Sequence, residues 1–332
     1  MSIFLVYAVL VVLALITAFF LFCGASGLLL YLSYLTTTHA AVDPVRLLPK
    51  NKAQSALSSH TEDPRLMESL RQARDRWLGE AESTEREKLA CTSRDGLLLY
   101  GEWWPAGADA ETAAVLVHGY SDSGSGMAWL AEEYHRHGVS VLVIDQRAHG
   151  LSEGSRITMG VREAEDLGLW VARLCNDGRC RRVIVHGVSM GAATVLLYAS
   201  GVQSARLPLA AVVADSSYSS YGETFREMVV RVVKFRLLAE GITAAASLFS
   251  LLFSGVSFSA AEPLAVAGNI TAPVLIFHGQ ADRMVPARMA RALFSAVGSE
   301  KKLYCAVPLA PHIGAWAYAP DLYWQKIQEI AF

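Results

Sequence analysis

A chain of 332 residues has room for one large domain or two modest ones. Hydrophobic residues make up 53% of it and charged residues 18%, with a formal net charge of −2. That balance, with no basic run interleaved with aromatics, gives no reason to expect nucleic acid or an acidic surface as a partner.

The first element is an apolar run over residues 3–35, inside a stretch of 42 residues without Asp, Glu, Lys or Arg. About 20 apolar residues cross a bilayer, so the run predicts a membrane anchor over residues 1–42. A secretory signal peptide fits less well, because the basic leading region is missing and the apolar core is too long. A lipoprotein site at Cys23 also fits poorly, with bulky Phe22 before it. The anchor makes the chain a single-pass membrane protein. Arg46, Lys50 and Lys52 follow the run and nothing basic precedes it, which favours a cytoplasmic carboxyl-terminal side.

Residues 43–86 read as a linker followed by a helix. Pro44, Pro49 and Asn51 punctuate the linker. In "PRLMESLRQARDRWLG" (64–79), Leu66, Leu70, Ala73 and Trp77 share one helical face, to be packed on the domain behind it. Pro64 opens that helix and Gly79 closes it.

From residue 87 the period changes. "KLACTS" and "LLLYGEWW" predict a hairpin around Arg94-Asp95-Gly96. Strands and helices then alternate. The strands are "AAVLVHG" (113–119), "SVLVID" (140–145), "RVIVHG" (182–187), "LAAVVAD" (209–215), "PVLIFHG" (273–279) and "KLYCAV" (302–307). The intervening helices carry Met127, Leu130, Ala131 and Tyr134, span about 161–175, start at Met190, lie near 287–297 and begin near Asp321. Continuous apolar strands separated by helices give an α/β fold with a mainly parallel sheet buried on both faces. In such sheets the ligand site lies beyond the carboxyl ends of the strands. Residues 217–268 interrupt the alternation, and 241–261 carry no charge. A second membrane span there would put "PVLIFHG" across the bilayer from its partner strands. The segment therefore reads as a helical cap insertion, roofing an acyl pocket or simply packing.

"HGVSMGAA" (186–193) sets Ser189 between Gly187 and Gly191 where an apolar strand meets a helix. A nucleophile elbow needs that setting, because a tight strand-to-helix turn lifts the hydroxyl into the open. A serine also needs a base, which follows it in the chain order Ser, acid, His. Of nine histidines, seven precede Ser189. His278 ends a strand just before Asp282, which leaves His312, in "PLAPHIGAW", as the base. Asp282, in "FHGQADRMVP", is the preferred acid. Asp215, directly after "LAAVVA", is the alternative, and a helix or turn cap is the ordinary role for either. The amide of Met190 supplies one oxyanion donor, and the amide of Tyr120, in "HGYSDSGSG", supplies the second.

These pieces, "VLVHGYSDS", "VLVIDQRAHGLSEG", "IVHGVSMGAA", "VLIFHGQADRMVP" and the histidine loop, make residues 87–332 resemble an α/β-hydrolase. Within that superfamily the chain is similar to the bacterial serine aminopeptidase-like and monoglyceride-lipase-like group, often anchored by one N-terminal helix. The resemblance implies that Asp145, Arg147 and His149 are loop scaffolding. The group usually has glycine before the histidine. Here Pro311 stands there, fixing its own φ and restricting Ala310, so a different loop path is expected.

The expected activity is hydrolysis of carboxylic esters, lipid-like or medium-chain, through an acyl-serine. Peptidase and thioesterase chemistry on the same triad stay open, as does a membrane-tethered binding protein whose chemistry is lost. No cofactor is needed, and no CxxC pair or HExxH suggests a metal. The five cysteines, Cys23, Cys91, Cys175, Cys180 and Cys305, are too scattered for a disulfide framework. Cys175 and Cys180 are spaced to pair across a turn or to stand as unrelated thiols.

Overall fold

The computed structural model describes residues 3–35, 64–79, 85–107, 110–202, 204 and 207–332. The linker expected at 43–63, with its three basic residues, lies outside the described residues. Helix α1 runs Ile3–Tyr34 and α2 runs Pro64–Gly79. Strands β1 (Glu87–Thr92) and β2 (Leu98–Trp104) form the expected antiparallel hairpin, in register from Glu87↔Trp103 to Thr92↔Leu98.

Alternation follows: β3 (Thr112–Val117), α3 (Ala128–Arg136), β4 (Ser140–Ile144), α4 (Val161–Asn176), β5 (Arg182–Val188), α5 (Met190–Ala199) and β6 (Leu209–Asp215). An insertion of α6 (Tyr221–Val233), α7 (Arg236–Ser254) and the single turn α8 (Pro263–Val266) comes next. The chain closes with β7 (Val274–Gly279), α9 (Ala287–Ala296), β8 (Lys302–Val307), α10 (Ala315–Tyr318) and α11 (Pro320–Ala331). One eight-stranded sheet results, ordered β1-β2-β4-β3-β5-β6-β7-β8. It is parallel from β4 through β8, and β1 and β2 are its antiparallel edge.

The strands are apolar on both faces because helices cover both. Side chains alternate along β3: Ala113, Val115 and Val117 face the layer containing Trp170 of α4 and Leu196 of α5. Ala114 and Leu116 face the opposite layer with Tyr134 of α3 and Ile327 of α11. This period of two sends the buried residues of the central strands alternately into one core and the other. Helix α2 buries Leu66, Ala73 and Trp77, and Trp77 donates its indole N–H to Glu102 at 3.0 Å. Cys175 and Cys180 are both free thiols.

Among the described residues, two helical stretches are long and apolar enough to cross a membrane: Val11–Leu32 of α1 and Arg236–Ser254, which is α7. Strand β7 pairs with β6 in register from Val212↔Val274 to Asp215↔Phe277, so both ends of the insertion return to one sheet. A crossing by α7 alone is incompatible with that pairing. Instead α1 and α7 lie against each other where glycine removes the side chain. A Cβ on Gly27 would stand 2.6 Å from the Ala245 Cβ, and one on Gly241 would stand 2.7 Å from the Cys23 Sγ. Tyr31 stacks on Phe253 at 5.6 Å between ring centres and accepts a hydrogen bond from Arg156 at 2.7 Å. Small residues let helix backbones approach closely in this way. A third apolar cluster runs from Cys23 and Tyr31 of α1, through Phe225 and Ile242 of the insertion, to Met190 beside Ser189.

Candidate active site

Ser189 occupies the turn between β5 and α5 with φ 53° and ψ −115°. A non-glycine residue held there stores about 1–3 kcal/mol of strain, which the surroundings must fix. They do so through backbone. The Ser189 amide donates to the Asp215 carbonyl at 2.8 Å. A Cβ on Gly187 would stand 2.0 Å from the Gly191 carbonyl oxygen, and one on Gly191 would stand 2.1 Å from that of Val117. Both flanking glycines are therefore required by close backbone approach, and the serine hydroxyl is presented at the amino end of a helix.

The loop after β8 carries His312, which is buried at 1% exposure. Its Nδ1 lies 2.7 Å from Asp282 Oδ2 and its Nε2 lies 2.8 Å from Ser189 Oγ. With Nδ1–H donating to the carboxylate, Nε2 is the acceptor for the serine hydroxyl. Asp282 is oriented from its other oxygen, since Oδ1 accepts the amides of Met284 and Val285, each at 2.8 Å. Burial raises the Asp282 carboxyl, but the charge and hydrogen bond of His312 outweigh that, with a smaller contribution from His278. The net position is below the ordinary carboxylate value.

Pro311 is accommodated by its neighbours. Leu309 and Ile313 take positive φ of 61° and 59°, so the distortion falls on either side of the Pro311–His312 pair. A Cβ on Gly314 would stand 2.6 Å from the Pro311 ring, so glycine here makes room for the proline. The loop is tied to the sheet by Ala281 N–H donating to the Ala310 carbonyl at 3.0 Å and Ile313 N–H donating to Ser216 Oγ at 3.1 Å.

Asp215 does not reach His312 with a hydrogen bond. Its Oδ1 accepts from Ser216 Oγ at 2.9 Å and its Oδ2 from the Tyr323 hydroxyl at 3.0 Å. Full burial pushes its carboxyl up, against those two hydrogen bonds and the nearby imidazoles. Through Ser216 it braces the histidine loop.

His278 was assigned no part by sequence reasoning. Its Nε2 lies 2.8 Å from the Val285 carbonyl oxygen and 3.4 Å from Asp282 Oδ2, so Asp282 is flanked by two imidazoles. The only sequence signal was its position four residues before the acid on a strand end.

On the other side of Ser189, a Cβ on Gly119 would stand 3.4 Å from the Ser189 Cβ, which brings the 118–121 loop against that serine. Tyr120 follows Gly119 in this loop and Met190 opens α5, so the two residues whose amides are expected to serve an oxyanion come from the segments on either side of the serine. Two neutral histidines hold the loop. His118 donates from Nδ1 to the Gly119 carbonyl at 2.7 Å and accepts the Gln146 amide at 3.0 Å. His149 donates from Nδ1 to the Arg147 carbonyl at 2.9 Å and accepts the Ser121 amide at 3.3 Å. Burial, reinforced by His118, lowers His149 to about 4. Arg147 is buried between Asp166 (2.6 Å) and Asp95 (3.0 Å), and Asp145 accepts the amides of Gly124 and Leu151, each at 2.7 Å. The scaffolding implied for Asp145, Arg147 and His149 matches these contacts. Among the described residues no group of three His, Cys, Asp or Glu side chains is arranged to hold a metal ion.

Residues 108–243 match the family model described as serine aminopeptidase, S33. The uncharacterized Bacillus subtilis protein YqkD is 33% identical over 171 residues, 51% of this chain and 54% of that protein. The match thus spans about half of that relative's length. A monoacylglycerol lipase of Mycolicibacterium smegmatis is 27% identical over 248 residues, 66% of this chain and 87% of the lipase. The solved structure of the Pyrococcus furiosus esterase Pf2001 superposes with a TM-score of 0.60 at 25% identity, covering 75% of this chain and 92% of that one.

Proposed function

We propose, from the premise that the chain belongs to the α/β-hydrolase superfamily, that it is a membrane-anchored serine hydrolase of carboxylic esters. The observation that carries this reading is the unbroken Ser189–His312–Asp282 hydrogen-bond chain, at 2.8 and 2.7 Å. His312 Nε2 takes the Ser189 proton as Oγ bonds to the ester carbonyl carbon. Asp282 orients the ring and stabilises the imidazolium. The Met190 and Tyr120 amides receive the oxyanion, each contributing about 3 kcal/mol to the transition state. Collapse breaks the ester C–O bond, and the alcohol leaves with the proton from His312. Water, deprotonated by the same imidazole, then attacks the acyl-serine, and the acid is released as His312 returns that proton to Ser189 Oγ.

Residues 1–42 are assigned to the anchor, 43–86 to linker and helix, and 87–332 to the catalytic domain, with 217–268 as its cap. A lipid-like or medium-chain acyl group is supported by the apolar cluster that joins the cap to Met190 and Tyr120. The lipase relative named above agrees with that choice. The family model's description favours a second reading, cleavage of aminoacyl bonds on the same triad. Steady-state kinetics on p-nitrophenyl esters of increasing chain length, a thioester and aminoacyl anilides separate these. Ester turnover exceeding that of anilides and thioesters, and rising to medium chains, is expected. Faster anilide cleavage would overturn the ester assignment.

A further inference from the structure

The anchor helix is longer than a bilayer and the cap is built onto its surplus. With a rise of about 1.5 Å per residue, 32 residues extend about 48 Å, against a hydrocarbon core of about 30 Å. The buried side chains Cys23 and Tyr31 lie in the second half of α1. The contacts with α7 climb in parallel: Gly241 meets Phe19 and Cys23, Gly27 meets Ala245, and Tyr31 meets Phe253. Helix α7 therefore runs parallel to the second half of α1, with its amino end directed toward the half of α1 left for the bilayer.

Helix α6 leads to that starting point. Phe258, just beyond α7, packs on Tyr221 and Phe225 in the first turns of α6, so α6 and α7 form a closed hairpin. Its tip is the turn Lys234-Phe235. At the tip Phe235 is 70% exposed, Leu237 73% and Val232 55%. Arg231, Lys234 and Arg236 are exposed beside them, and Glu240, which pairs with Arg236 at 3.2 Å, is the one acid between 231 and 240. Exposed large apolar side chains ringed by basic ones, on an element that already touches a bilayer-length helix, match the pattern of an interfacial membrane contact. Arg236 opens α7 five residues before Gly241, which sets the tip about 7 Å nearer the amino end of α1 than the Gly241 contact, within the usual depth of interfacial helices.

We propose that the α6–α7 tip is seated in the anionic lipid leaflet that α1 enters, with Phe235 and Leu237 among the acyl chains and Arg231, Lys234 and Arg236 at the headgroups. The inference rests on the anchor reading above. It adds that the cap is a second membrane contact, which holds the site edge of the sheet beside the leaflet so that an ester substrate arrives from lipid.

The test uses the full chain in vesicles of phosphatidylcholine and phosphatidylglycerol. Single variants Phe235→Cys, Leu13→Cys and Val202→Cys are labelled with an environment-sensitive thiol probe, the unsubstituted chain giving the background. Leu13 is 53% exposed on α1, and Val202 is 76% exposed beyond the far end of α5. Retained ester hydrolysis identifies folded variants. The probe at 235 is expected to shift to the blue, lose iodide quenching and be quenched by lipids spin-labelled near the headgroup, whereas the probe at 202 behaves as in water. A lipid signal at 13 with a water-like signal at 235 overturns this proposal and leaves the anchor standing. A water-like signal at 13 overturns the anchor and the proposal together. Protection from iodide at 235 without lipid quenching means a second protein copy covers the tip, and also overturns it.

Discussion

Adjacent strands β7 and β6 each lead to a buried aspartate that starts a hydrogen-bonded chain: Asp282 lies three residues past β7, and Asp215 is the last residue of β6. Beyond β7 the chain is Asp282, His312, Ser189. From the end of β6 it is Asp215, Tyr323, His186, Tyr134, with each link at 3.0 Å. Both contain a carboxyl, an imidazole and a terminal hydroxyl. They differ in what surrounds them. Ser189 sits at a helix start and is only partly buried, whereas Tyr134 is fully buried. His186 has no carboxylate in contact, and burial lowers it to about 3, so it stays neutral and holds two tyrosines in place. His312 bonds directly to a carboxylate held in its charged form. Under the proposed function, the first chain differs from the second by a solvent-reachable end and a paired charge rather than by residue types.

The largest expected difference is at the terminal hydroxyls. Ser189→Ala should lower kcat/KM for a p-nitrophenyl ester by about a millionfold, and Tyr134→Phe by less than about tenfold. Equal losses would erase the distinction. Next come the acids. Asp282→Asn should cost about ten-thousandfold in kcat, as expected for the wrong imidazole tautomer. Asp215→Asn should change kcat by less than about tenfold while removing about 1–3 kcal/mol of stability in urea unfolding. A reversal of these two results would move the acid to β6.

The buried histidines predict a pH dependence of stability. In the unfolded chain His186 titrates near 6.5, but in the fold it takes its proton only near 3. Between those values the unfolded state binds more protons, so stability is complete above about pH 6.5 and falls as pH drops, by at most about 1.4 kcal/mol per pH unit for this residue. His186→Gln should flatten the profile of unfolding midpoint against pH in that window. An unchanged slope would contradict the burial argument. The smallest effect belongs to the histidine loop. Pro311→Gly should lower stability by about 0.4–1 kcal/mol through the unfolded chain, with turnover nearly unchanged, because neighbouring contacts already fix the loop.

Much of this was legible in the sequence because it is local or ordered along the chain. Continuous apolar runs marked the strands, and the elbow glycines marked Ser189. The chain order Ser, acid, His singled out His312 and ranked Asp282 above Asp215. The partners of Asp215 were not legible, since Tyr323 comes from a helix more than a hundred residues later and only the folded sheet brings it near. His278 was passed over because a strand-end histidine carries no periodic signal. The insertion was visible by composition, but its contact with α1 was not. Gly27 and Gly241 within apolar helices were the available sign, as small residues that admit a close neighbour. Pro311 is disruptive when read in isolation, and Gly314, three residues after it, makes the space its ring needs.

The most direct measurement is reaction of the folded full chain with a fluorophosphonate, followed by peptide mass mapping. The account predicts a single adduct on Ser189, formed with loss of ester hydrolysis and slowed strongly in the Asp282→Asn variant but not in Asp215→Asn. An adduct on another residue, or full esterase activity in protein whose Ser189 remains unmodified, would contradict it.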